Sequence, residues 1–520
     1  MEVAMSYLLL LPSALLIAVG TNLLLRPATR AGARLRGPEL AAVLGLLATL
    51  IAAVTLALSG PQTSPLLGAA SIGLSARSDI VSISLALTVG FVGWVTLRFS
   101  RVALDGEARQ SWFMGWMSLT LACVLALVVA GNLFQLMVAW VAVGTGLHRL
   151  LLFYPERPGA QRAARKKSLS GLIASGALLI AVSLLAYGFG TTDIARIAEA
   201  ARAGNGSSSL WIVAGLLGLA AVFKSALIPT HGWLTEVMEA PTPVSALMHA
   251  GVVNAGGFLL IRFADVMLSA PGVLAVLALI GGLSALIAAA VATTQSAVKT
   301  SLAWSTCAQM SFMVLQCGLA LFPLALLHIV AHSLYKAHAF LSSGSAVAAV
   351  AQQHRPGPVA VPGAGAVLRA FALSLAIYGG ALALSGLWHE PPQAIALGAI
   401  LVFGVAYLIA QGLAEAAPWP LFWRTTLMSL GATLGYFALH WGANALSAGA
   451  LPPPPVADPL VWLVMLLTVV GFGLAAWAQA TFPLWGSHPA AAGLRVHLMN
   501  GLYLNALTDR LIGQTPLKKG

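Results

Sequence analysis

Five ionisable side chains stand inside long apolar runs of this sequence. Lys224 lies near the end of a run that begins at Leu210, and His249 lies in the interior of a run that opens with Pro241-Thr242-Pro243. His328, His332 and Lys336 fall together in LLHIVAHSLYKAHAF. Spaced i, i+4, i+8, these three share one helix face and form a polar ladder about 12 Å long at 1.5 Å per residue. A neutral imidazole both accepts and donates a proton near neutral pH. An amine taken out of water gives up its proton more readily than one in solution. These are the properties that a proton path through a membrane needs. Ionisable groups are costly in lipid and by default mark a functional site; the plain alternative is polar glue between helices. His338, two residues beyond Lys336, points away from the ladder and reads as packing.

Other candidates are weaker. Lys224 stands close to a membrane boundary and could instead snorkel to the interface. Lys299 opens an apolar run in VKTSLAWST and suits a path residue or a topology anchor equally. Glu236 and Glu239 precede the Pro-Thr-Pro turn; they are placed to feed protons to Lys224, or are solvated loop acids. Cys123, Cys307 and Cys317 all fall in apolar runs without ligand spacing and read as inert thiols. No nucleotide loop, zinc motif or catalytic constellation is present, so no cofactor or enzymatic chemistry is expected of this chain itself.

The elements that position these residues are membrane helices. Of 520 residues, 59% are hydrophobic and only 8% charged, against about a quarter charged in soluble domains. Apolar runs of about 20 residues recur throughout. They predict an all-α, polytopic membrane protein with fifteen spans near 6–25, 40–58, 79–98, 112–130, 132–152, 168–188, 210–229, 242–262, 273–293, 300–318, 323–349, 368–387, 394–414, 425–443 and 459–480. Pro229 predicts a break in the seventh. The net charge of +12 is not a nucleic-acid signal. Most Lys and Arg fall in alternate loops, and only Arg77, Arg196, Arg202 and Arg262 lie opposite. That asymmetry places the N-terminus outside and the C-terminus in the cytoplasm. The first span lacks a basic leader and reads as retained. From His488 to Ile512 the tail carries Leu494, Leu498, Leu502, Leu507 and Leu511 among polar residues, predicting an amphipathic helix at the bilayer surface.

Lys224-Ser225-Ala226, His231-Gly232-Trp233-Leu234 and the block Glu239-Ala240-Pro241-Thr242-Pro243-Val244-Ser245-Ala246-Leu247-Met248-His249-Ala250 resemble the signature of antiporter-like proton-translocating subunits. These belong to respiratory complex I and to multisubunit cation/proton antiporters. The resemblance runs from about Asp79 to Arg510. It implies N-terminal helices over 1–110, two inverted five-helix repeats over 111–265 and 266–415, C-terminal helices over 416–487 and a cytoplasmic tail over 488–520. Each repeat would hold one broken helix, the second near Gly379-Gly380 and Ser385-Gly386. It also implies proton-path roles for Lys224, His249, His328, His332, Lys336, Lys299 and Glu239. Two departures stand out. Val141 in Trp140-Val141-Ala142-Val143-Gly144 occupies the place of the family's glutamate, which pairs with the span-7 lysine, and span 12, ALSLAIYGGALALSGLW, carries no charge.

With those losses, and without the long lateral helix of the largest complex I subunit, the chain most resembles the membrane subunit of DAB-type inorganic-carbon accumulation complexes. That resemblance implies a bacterial inner-membrane subunit that passes protons to drive CO2 hydration in a cytoplasmic, zinc-containing partner similar to β-carbonic anhydrases. The zinc would belong to the partner, and the tail would dock it in competition with the lipid bilayer. The alternatives are a pumping subunit of a complex I-type or hydrogenase-type oxidoreductase or of a cation/proton antiporter, and a membrane anchor that no longer conducts.

Overall fold

The computed structural model describes residues 7–26, 33–69, 71–205, 209–236, 240–344, 363–385, 390–412 and 419–512. Its helices in order are α1 (Leu11–Leu25), α2 (Gly37–Ser59), α3 (Ile80–Ala103), α4 (Gln110–Val128), α5 (Leu133–Leu151), α6 (Pro158–Phe189), α7 (Ile194–Arg202), α8 (Leu210–Lys224), α9 (Gly232–Thr235), α10 (Thr242–Ala250) and α11 (Ala255–Arg262). There follow α12 (Ala264–Leu268), α13 (Pro271–Thr293), α14 (Val298–Gly318), α15 (Phe322–Ser342), α16 (Ala364–Ser385), α17 (Pro392–Gly412), α18 (Trp419–Ser447), α19 (Pro459–Ala480), α20 (Phe482–Trp485), α21 (Pro489–Met499) and α22 (Leu504–Ile512). Among the described residues, eleven helices are long and apolar enough to cross a membrane. The other four expected spans coincide with α8, α14, α17 and α18.

Local chemistry sets the helix ends. Asp79 caps α3 by accepting from the Ser82 amide, and Asn132 caps α5 by accepting from the Gln135 amide, both at 2.8 Å. Prolines in the first turn open α6, α10, α13 and α15, where a missing N–H costs nothing. Between α2 and α3 the chain forms two short antiparallel pairs, β1 (Gln62–Thr63) with β4 (Arg77–Ser78) and β2 (Leu67–Ala69) with β3 (Ile72–Leu74). Gln62 faces Ser78 and Leu67 faces Leu74. Asp79 also pairs with Arg77 and with buried Arg262, each at 2.5 Å. Burial alone would push its carboxyl up; the two guanidiniums outweigh that and hold it well below the usual carboxylate range.

Several boundaries differ from the expectation, each for a local reason. Helix α6 starts at Pro158, ten residues early, and carries Arg162, Arg165, Lys166 and Lys167 into helix. Helix α8 ends at Lys224 itself, five residues before Pro229. There Ala226 takes a left-handed φ of 54°, unusual for a residue with a Cβ, and Ile228 precedes a proline, which disfavours helix. The eighth expected span is also broken: α10 and α11 are separated by a single 3₁₀ turn, Val252–Asn254. The two breaks touch. Ser225 donates to the Val253 carbonyl at 3.2 Å, and a Cβ on Gly256 would collide with Ser225 Oγ and the Ala221 carbonyl.

Helix α16 runs through Gly379 and Gly380 without interruption, and Ser385 is its last residue. The expected second break is therefore not at the glycine pair, and Gly386 lies outside the described residues. Glycine weakens a helix without having to break it. The tail is not one helix either. Gly501, Leu502 and Tyr503 all have positive φ, which turns the chain between α21 and α22. Nor is it uncovered: Gln295 donates to the Met499 carbonyl at 3.3 Å, Asn505 donates to Thr235 at 3.2 Å, and Asp509 pairs with Lys166 at 2.8 Å. Leu494, Val496, Met499 and Leu507 remain exposed.

Candidate functional site

The first cluster is built on the end of α8. Lys224 is buried, and its ammonium lies 4.5 Å from the ring centroid of Trp140 on α5, the geometry of a cation–π contact. No carboxylate lies within ion-pair distance of it among the described residues. Lys167 on α6, also buried, donates to the Gly144 carbonyl and is an electrostatic neighbour of Lys224. Val141 points away from this cluster and is 45% exposed. The position of the missing acid thus lies on the outer surface of the bundle, because consecutive residues on a helix diverge by about 100°.

Below the break, His231 is buried with its ring 4.6 Å from that of Trp304. Glu236 and Asp509 converge on buried Lys166, at 2.5 and 2.8 Å. The tail and the break in the seventh span therefore share one cation. Glu239 lies outside the described residues.

The second cluster is built on α15. His332 and Lys336 are buried, His328 is half-buried, and His338 is exposed, as one helix face requires. The His328 and His332 ring centroids are 6.1 Å apart. His328 Nδ1 meets Gln316 Oε1 at 2.9 Å, while both ring nitrogens of His332 have no protein partner. Lys336 donates to Ser305 Oγ at 2.5 Å and to the Leu302 carbonyl at 3.4 Å. His249, on α10, stacks on Phe340 at 4.2 Å and is an electrostatic neighbour of both His332 and Lys336. Two helices, α15 and α10, thus bring four of the expected residues together, and α14 adds Ser305 and Gln316. Lys299 stands apart: it donates to Thr242 at 3.1 Å and ties the start of α14 to the Pro-Thr-Pro turn.

Between the clusters, Asn254 donates to Ser333 on α15 at 2.9 Å, while its own carbonyl oxygen is buried and unpartnered. Both line a small cavity with Thr88, Val143 and Gly251, about 20 Å³ in volume, room for one water. Such a chain of imidazoles, amines and hydroxyls can relay protons, because each member can accept one and pass another on. The expectation missed Lys167, Asn254, Ser305, Gln316 and Lys166. Asn254 had a signal, an amide between Gly251 and Gly256 inside an apolar run.

Residues 130–414 match the family of NADH:quinone oxidoreductase and Mrp antiporter transmembrane subunits, and the chain belongs to that family. More particularly, it is 38% identical over 483 residues to a probable inorganic carbon transporter subunit, DabB2, of Halothiobacillus neapolitanus, covering 88% of this chain and 86% of that one. It is 42% identical over 278 residues to the probable inorganic carbon transporter subunit DabB of Hydrogenovibrio crunogenus, covering 53% of each. The fold resembles that of the Mrp complex from Dietzia sp. DQ12-45-1b, with a TM-score of 0.60 at 21% identity over 98% of this chain and 60% of that one. The chain is thus a multi-pass membrane subunit of antiporter-like fold. Among the described residues no three His, Cys, Asp or Glu side chains are placed to hold a metal.

Proposed function

We propose that this chain is the proton-conducting membrane subunit of an inorganic-carbon accumulation complex in a bacterial inner membrane. Protons pass along Lys224, His249, His332, His328 and Lys336, with Lys299 and Glu239 at the margins. Their flow drives hydration of CO2 to bicarbonate in a cytoplasmic, zinc-containing partner similar to carbonic anhydrases. The observation that carries this reading is the end-to-end likeness to a probable inorganic carbon transporter subunit, 38% identical over 88% of the chain. The lysine cluster is consistent with it, since Lys224 faces an indole and a second lysine and has no carboxylate within ion-pair distance among the described residues. In this reading the N-terminus lies outside and the tail in the cytoplasm.

The test is purification of the full chain from its native membrane, followed by identification and metal analysis of what travels with it. A large cytoplasmic protein with stoichiometric zinc is expected. Iron–sulfur and quinone-binding subunits would instead establish the second reading, a pumping subunit of an oxidoreductase, one of the two kinds that the family's description names. Other antiporter subunits without zinc would point to a cation/proton antiporter.

A further inference from the structure

The second half of the bundle holds a buried acid–imidazole pair that the path above does not use. His440, on α18, is 3% exposed, and its Nε2 lies 3.1 Å from Glu390 Oε2. The same Nε2 lies 3.1 Å from the side-chain nitrogen of Asn444. One ring nitrogen therefore sits between an acceptor and a donor. Protonated, Nε2 donates to Glu390; unprotonated, it accepts from Asn444. Both protonation states have a partner in place. Nδ1, on the far side of the ring, is buried and has no partner among the described residues.

Helix α18 continues this chemistry along its length. Thr425, Ser429, Thr433, His440, Asn444 and Ser447 recur at intervals of three, four or seven and so share one face. All but Asn444 are buried, whereas Leu427, Leu434 and Trp441 on other faces are exposed. The stripe is about 33 Å long at 1.5 Å per residue, about the thickness of the hydrocarbon layer. Thr433 and Ser447 satisfy their hydroxyls on the carbonyl four residues back. Ser429 Oγ has no partner among the described residues.

The stripe lies beside the histidine ladder. Helices α15 and α18 pack on each other. At one end they are joined through the start of α17: Leu321 and Leu324 pack with Ala394 and Leu397, and Tyr436 donates to the Ala394 carbonyl at 3.4 Å. His328 is six residues into α15 from that end and His440 seven residues from the end of α18, depths of about 9 and 10 Å. Helix α16, which packs against α18, offers no charge beyond Arg369 near its start.

We propose that Glu390 and His440 form a proton port at this end of the bundle, serving the ladder at the depth of His328. This rests on the conduction reading above and names one terminus of the path. The Glu390 carboxylate takes a proton from the adjoining water and passes it to His440 Nε2. The imidazolium then releases its Nδ1 proton inward to water on the ladder side, the neutral ring shifts its remaining proton from Nε2 to Nδ1, and the bare Nε2 accepts from Asn444 between cycles.

The test uses the full complex reconstituted in proteoliposomes with a pH-sensitive dye inside. Wild-type flux comes first; if there is none, the conduction reading falls and the port with it. Given flux, Glu390→Gln and His440→Gln should each lower it about 100-fold, the scale of losing a proton-transfer group, and Glu390→Asp should keep most of it. Glu390 is part-exposed at a helix edge, so Glu390→Gln alone decides if the His440 variant does not insert. Wild-type flux in Glu390→Gln, or an equal loss in Glu390→Asp, would overturn the port while leaving conduction standing.

Discussion

The two lysine sites of this bundle solve the same burial problem differently. Lys224 at the end of α8 faces the Trp140 indole and a second ammonium, Lys167. Lys336 in the interior of α15 donates to a hydroxyl and a backbone carbonyl, with His332, His328 and His249 around it. The first is an amine held beside a broken helix with no opposite charge at ion-pair distance among the described residues. The second is a charge at the foot of a row of groups that exchange protons. The first site is thus sensitive to the charge state of its neighbours, and the second is the one to which the proposed function gives the transfer.

Breaking the first site should have the larger effect. Lys224→Ala is expected to reduce coupled activity about 1,000-fold or more, within the range for loss of a proton-transfer group, while the complex assembles normally. Among the described residues no ion partner is stranded by the change, so assembly followed by size-exclusion chromatography separates mechanism from folding. Full activity in the assembled variant would remove Lys224 from the path.

The second site should divide by face. His332→Ala is expected to lower proton flux about 100-fold, whereas His338→Ala, on the exposed face, should leave it within about twofold. Equal losses would contradict a ladder on one helix face. The smallest effect is expected of Val141→Glu. Because Val141 faces outward, the new acid does not join the Lys224 cluster within this chain. Flux should stay within about twofold, while membrane yield falls, since an acid on a lipid-facing surface costs about 2.5–3.5 kcal/mol at mid-membrane depth. A large change in flux would mean that a neighbouring subunit brings this face and Lys224 together.

The sequence made the second site more legible than the first. His328, His332 and Lys336 lie on one uninterrupted helix, and helical periodicity alone aligns them. His249 joins them from another helix, a meeting that periodicity along one helix cannot show. Eleven of the expected spans fall on helices long and apolar enough to cross a membrane among the described residues, because hydropathy reports burial in lipid directly. Lys167 was legible only as a loop cation, since its place inside α6 depends on that helix starting at Pro158. The break at Val252–Asn254 was hidden because no proline marks it. The tail's contacts were invisible for another reason: Asn505 and Thr235 are 270 residues apart, and amphipathicity says that a face will be covered without saying by what.

That separation has a consequence for the order in which the molecule is completed. Lys166 and Glu236 belong to the first half of the chain and can meet early in synthesis, as N-terminal parts fold first. Asp509 and Asn505 emerge only after every helix from α10 to α21. The broken seventh span therefore waits through the synthesis of every one of those helices before its last two contacts can form.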